Sequence, residues 1–171
     1  MISSADMRSV GQSVPANAAG VSIHTACHLA RPDAHAICHA HSLYGKAWAS
    51  FARELDMISQ DVCYFYKAHS VYRNYGGIAF GQDEGTNIAR ALGNNKAAIL
   101  VNHGLITVGE TVDEAAYLYT LLEKSCRIQL MVEATGLPKV LVPDEEALET
   151  FKSASQPVSL NRTHRLGSFA K

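Results

Sequence analysis

Residues 96–109 read KAAILVNHGLITVG, and this stretch decides how the chain is read. KAAILV (96–101) is a short unbroken apolar run, as expected of a strand covered on both faces. NHG (102–104) is a turn, with Gly104 allowing the backbone to bend sharply, and LITVG (105–109) is a second apolar strand. The segment that follows, ETVDEAAYLYTLLEKSCRIQLMVEATG (110–136), is a long amphipathic helix. Glu110, Asp113 and Glu114 form its acidic first turn, and Gly136 lies after its end.

Working outward, the same alternation of strand and helix recurs. SIHTACHLA (22–30) places Ile23, Ala26, Cys27 and Ala30 on one helical face, and RPD (31–33) stops that helix. AHAIC (34–38) is a buried strand, and SLYGKAWASFARELD (42–56) a second helix starting from Ser42 as N-cap. Residues 57–77 are rich in tyrosine and have no clean period, whereas DEGTNIARALGNN (83–95) is a helix closed by Gly93. VPDEEALETFKSA (142–154) is a short helix with Pro143 near its start. The expected organisation is a flexible N-terminal segment over 1–20, a folded domain over 21–157 and a polar, basic tail over 158–171. The pattern predicts an α/β layered domain.

Composition narrows the function classes. The 171 residues are 47% hydrophobic and 18% charged, with a net charge of −1, so the basic excess that marks nucleic-acid binders is missing. No apolar run has the length of a membrane span, and MISSADMRSVGQSVPANAAG has no apolar signal-peptide core. The four cysteines, Cys27, Cys38, Cys63 and Cys126, form no CxxC pair and read as reduced thiols, so the expected location is cytoplasmic.

Two histidines stand one residue apart in AICHAHSLYG (36–45). Residues two apart in a strand share a face, so His39 and His41 can project together if the strand continues to residue 41. Neutral imidazoles so placed can bind one divalent ion, but a catalytic site needs a third ligand and an open position. His103, in the NHG turn after the strand KAAILV, is the natural third. The alternative is that these are hydrogen-bonded histidines at strand ends, and spacing alone leaves both readings open.

ARPDAHAICHAHS (30–42), followed by AAILVNHGLITVGETVDEAAYLYTLLEKSC (97–126), resembles the class II aldolase/adducin family, in which an RPD turn precedes a strand ending in His-x-His and a later strand ends in NHG. The resemblance implies a three-layer α/β/α sandwich on a mainly antiparallel or mixed sheet. It implies a divalent metal, Zn²⁺ or another such as Mn²⁺, Fe²⁺, Co²⁺ or Ni²⁺, on His39, His41 and His103. It also implies a homo-oligomer, typically a tetramer with sites at subunit contacts, acting on a small-molecule substrate without nucleic-acid or membrane partners.

The chain departs from the family's sugar-phosphate aldolases at one informative place. They carry an essential glutamate a few residues before the helix that leads to RPD, whereas this sequence has no Asp or Glu between Asp6 and Asp33. Little of the family's larger N-terminal part fits before residue 20, and the C-terminal tail does not match a tyrosine-bearing segment some aldolases use. A fuculose- or rhamnulose-type phosphate aldolase is therefore not expected. His24, one helical turn from His28, is the first candidate to move protons in place of the glutamate. Tyr64, with Tyr66 beside it in QDVCYFYKAH, is the second; Asp61 reads as a solvated or capping residue. Cys38 should face away from its histidine neighbours, and Asn102 should orient the loop at His103. Two readings follow: a metal-dependent lyase performing retro-aldol, decarboxylation or related enolate chemistry on a small oxygenated metabolite, or a non-catalytic, adducin-like binding or assembly protein.

Overall fold

In a computed structural model of the protein, residues 17–74 and 82–155 are described. The expected N-terminal segment up to residue 16 and the tail 158–171 lie outside them. The elements run α1 (Ala18–Ala30), β1 (Ala36–Ala40), α2 (Leu43–Ala49), a 3₁₀ helix (Asp61–Phe65), β2 (His69–Tyr72), α3 (Gln82–Leu92), β3 (Ala97–Leu100), β4 (Gly104–Gly109), α4 (Val112–Glu133) and α5 (Asp144–Ala154). The four strands form one mixed sheet in the order β1-β4-β3-β2. β1 and β3 each pair antiparallel with β4, while β2 runs parallel to β3.

Both faces of the sheet are covered. Ala98 and Leu100 of β3, with Ile106 and Val108 of β4, pack against Ile23 and Cys27 of α1 and Ile88 and Leu92 of α3. The alternate residues Ala97, Ile99 and Leu105 pack on the other side against Trp48 of α2 and Leu118, Leu122 and Cys126 of α4. This is why 96–101 reads as continuous apolar sequence: alternate side chains enter two cores rather than a core and solvent. Each large side chain sealed there stabilises the fold by about 1.5–3 kcal/mol. The result is the expected three-layer arrangement of helices, mixed sheet and helices.

Element ends depart from the sequence reading where side chains act on backbone. α1 begins at Ala18 instead of Ser22, because the Asn17 side chain accepts the Gly20 N–H at 3.0 Å and caps the helix. β1 continues to Ala40, two residues past the expected end, held by pairing with Leu105. α2 stops at Ala49 instead of continuing to residue 56. Beyond it Ala52 takes a left-handed conformation (φ 51°), and tertiary partners claim the following backbone. Trp48 Nε1 donates to the Arg53 carbonyl, and the Leu55 N–H donates to His69 Nε2. Thr111 caps α4, accepting from the Glu114 N–H at 3.1 Å, and the Glu114 carboxylate accepts the Glu110 N–H. The acidic first turn is thus accounted for locally.

Candidate metal centre

β1 and β4 bring the histidines together. His39 lies within β1, paired with Ile106, while His41 follows the strand by one residue. His103 occupies the turn between β3 and β4, where Asn102 adopts a left-handed conformation (φ 56°) that asparagine tolerates. The His103 N–H donates to the Leu100 carbonyl and closes the turn. Gly104 then lies directly against β1: a Cβ there would sit 2.5 Å from the Ala40 carbonyl oxygen and 3.3 Å from the His41 Cα. Only a glycine lets the two histidine-bearing segments approach this closely.

The three rings form a mutual edge-to-face cluster. Centroids lie 5.4 Å apart for His39–His41, 5.0 Å for His39–His103 and 4.6 Å for His41–His103. One ligating atom from each falls within 4.8 Å of the others, with His41 exposed and the other two half-buried. His39 Nδ1 donates to the Leu105 carbonyl at 2.9 Å. A carbonyl only accepts, so Nδ1 carries the proton and Nε2 is left with its lone pair.

The surroundings disfavour the charged form at His39 and His103. Burial pulls His39 below the usual imidazole range, the Leu105 bond opposing it. Burial, then the neighbouring His39 and His41, brings His103 down to about 4. Neutral imidazole is the form that ligates metal. Three such nitrogens with no carboxylate or thiol in the cluster, among the described residues, fit a divalent ion accommodated by imidazoles, such as Zn²⁺, Fe²⁺ or Ni²⁺.

The remaining candidates fall on different sides of the sheet. His24 sits on α1, half-buried, its ring centroid 6.2 Å from that of His28. Burial, then His28 and to a smaller extent His39, hold it below the usual range. His28 is committed elsewhere, Nδ1 donating to the Ala34 carbonyl at 2.8 Å. Tyr64 packs within the α2/α4 core against Tyr117, ring centroids 6.1 Å apart. Among the described residues its ring contact is with Tyr117 and not with the clustered histidines. Tyr66 is buried with Cys63 and Ala147 under α5. Asp61 is exposed beside the Tyr64–Tyr117 pair, and Cys38 alternates with His39 onto the opposite face of β1.

Two residues of α4 were missed by the sequence reading. Tyr119 donates its hydroxyl to the Ala40 carbonyl at 3.0 Å. The Glu123 carboxylate accepts from the Ser42 hydroxyl (2.5 Å), the Tyr44 N–H (2.9 Å) and the Gly45 N–H (2.7 Å). Ser42 therefore occupies the N-cap position of α2 without capping it; Glu123 does so from another helix. The sequence signal available was an i, i+4 Tyr/Glu pair on a helix, which is too common to single out.

Comparison with known proteins agrees with this geometry. The model of the class II aldolase and adducin N-terminal domain matches residues 2–130. The chain is 44% identical over 131 residues to Decarboxylase NovR of Streptomyces niveus, covering 77% of this chain and 48% of that protein. It is 46% identical over 120 residues to a 4-hydroxy-3-prenylphenylpyruvate oxygenase/4-hydroxy-3-prenylbenzoate synthase of Streptomyces roseochromogenus, covering 70% of this chain and 43% of that one. Among solved structures, an L-fuculose 1-phosphate aldolase from Glaciozyma antarctica superposes with a TM-score of 0.71 at 41% identity, over 81% of this chain and 51% of its own. The chain spans about half the length of the curated relatives it matches. With the RPD turn, the two histidine-bearing segments and the layered sheet all in place, the chain belongs to the class II aldolase and adducin N-terminal domain family.

Proposed function

We propose that the chain holds one divalent metal ion, Zn²⁺ or another such as Mn²⁺, Fe²⁺, Co²⁺ or Ni²⁺, on His39, His41 and His103, and acts as a lyase-type enzyme on a small oxygenated metabolite. The observation that carries this reading is the convergence of three imidazoles from two separate stretches of chain, one ligating atom of each within 4.8 Å of the others. When bound, such an ion supplies a Lewis acid for carbonyl or hydroxyl oxygens. No carboxylate joins the cluster among the described residues, so a neutral imidazole set would leave the charge of a bound ion uncompensated by the chain. That favours an anionic chelating substrate, a 2-oxo or 2-hydroxy carboxylate, over a neutral one. The relatives named as a decarboxylase and as a phenylpyruvate oxygenase support the same substrate class, and decarboxylation is preferred here over retro-aldol cleavage.

His24 is assigned the proton transfer, because it is half-buried on α1 and its imidazole is held below the usual range, chiefly by burial. Tyr64 takes part only if the chain assembles, as a homotetramer, with the Tyr64–Tyr117 edge facing a neighbouring copy's site. A cytoplasmic location belongs to the same proposal and accords with the four free cysteines. The absence of an acid/base carboxylate between Asp6 and Asp33 favours a second reading, a non-catalytic adducin-like binding or assembly protein.

Elemental analysis of purified protein, beside the His39→Ala/His41→Ala double variant, separates the two. The expected result is about one ion per chain in wild type and none in the variant, with CO₂ released from a panel of 2-oxo acids by wild type alone. A metal-free wild type, or a variant that keeps full activity, removes the enzyme reading.

A further inference from the structure

His41 is the weak member of the cluster. It is exposed, lies beyond the end of β1, and among the described residues its ring is seen to contact the rings of His39 and His103. His39 has the Leu105 carbonyl, and His103 has the closed turn. The backbone on either side of His41, however, is gripped by one face of α4. The Tyr119 hydroxyl holds the Ala40 carbonyl immediately before it. One turn further along, the Glu123 carboxylate takes the Ser42 hydroxyl immediately after it, then the Tyr44 and Gly45 N–H groups.

We infer that Tyr119 and Glu123 are positioning residues that clamp the Ala40–Gly45 backbone and thereby fix His41 in the cluster. The inference rests on the metal reading for its functional meaning, but not for its geometry. A carboxylate accepting three hydrogen bonds is a strong anchor, since bonds to ionised acceptors are about twice as strong as neutral ones. The device also depends on Gly45, whose missing side chain would meet Leu105 and the Ser42 hydroxyl at 2.6 Å. α2 therefore enters at one height, with its first turn against Glu123. The consequence is that α4, which contributes no ligand, sets whether the cluster has two fixed imidazoles or three.

The test has a metal-free arm and a metal arm. In the apo protein, nuclear Overhauser contacts between the His41 and His103 rings, whose centroids are 4.6 Å apart, are expected in wild type. They are expected to be lost in Glu123→Ala, strongly weakened in Glu123→Gln and weakened in Tyr119→Phe. In the metal arm, Co²⁺ affinity is expected to fall about 10- to 100-fold in Glu123→Gln, the usual cost of removing a group that orients a ligand. Thr107→Val, which removes the buried Thr107–Ala115 bond that ties α4 to β4, controls for general loosening and should leave both readouts unchanged. Ser42→Ala and Tyr119→Phe carry the test if Glu123 variants do not fold. Retention of the ring contacts in a folded Glu123→Gln protein overturns the inference, as does their equal loss in Thr107→Val. Loss of the contacts in Glu123→Gln, together with no binding of Co²⁺ or Zn²⁺ by wild type, upholds the positioning role and counts separately against the metal reading.

Discussion

At His69 both ring nitrogens are committed: Nδ1 donates to the Phe65 carbonyl at 2.7 Å and Nε2 accepts the Leu55 N–H at 3.0 Å. This is a neutral structural histidine, and burial holds it below the usual imidazole range. His39 uses only one nitrogen in this way, and that difference separates a core histidine from a ligand candidate. A depressed pKa has a definite sign in stability. Where the unfolded chain binds a proton that the folded chain refuses, stability is present above the unfolded value and is lost as pH falls toward the folded one. Metal-free protein is therefore expected to lose stability as pH falls below the unfolded imidazole value of 6.5, with His103 contributing down to about 4. His69→Gln should start less stable but show a shallower pH dependence in urea denaturation; an unchanged slope would assign the effect to other groups. Gly104→Ala belongs at this scale as well. Its Cβ, 2.5 Å from the Ala40 oxygen, is expected to cost about 1–3 kcal/mol and to separate His41 from His103, read as lower urea midpoint and weaker metal binding together.

Among the elements, α1 and α3 meet at Gly85, where a Cβ would lie 2.7 Å from the Ser22 carbonyl oxygen. Gly85→Ala should push the helices apart and lower stability by about 1–3 kcal/mol, measured by denaturant titration. Ordinary ΔΔG near zero would mean that the helix pair has slack. The elements read best from sequence were those fixed locally: β3 and β4 by unbroken apolar runs, α3 by Gly93, which takes φ 52°, and α4 by its Thr111 cap. Those read worst were fixed from a distance. HSVY (69–72) is a strand because it lies parallel to β3, a pairing no local period announces. α2 ends early because Arg53 and Leu55 find partners in Trp48 and His69.

For the whole molecule, the layered sheet is what turns two distant sequence fragments into one cluster. AICHAH and VNHG each announce histidines at strand ends, but only the antiparallel pairing of β1 with β4 puts them side by side. The close approach of Gly104 to Ala40 and the grip of Glu123 on the start of α2 were illegible, since both join segments far apart in sequence. No helix among the described residues is long and apolar enough to cross a membrane. If the cluster binds an ion in the folded state only, Zn²⁺ at a hundred times its Kd should stabilise wild type by ~2.7 kcal/mol and leave His39→Ala unmoved. The most direct measurement is anomalous diffraction at the zinc absorption edge from crystals grown with Zn²⁺. The account predicts one strong peak ringed by His39, His41 and His103; zinc absent from that position, or bound elsewhere on the chain instead, would contradict it.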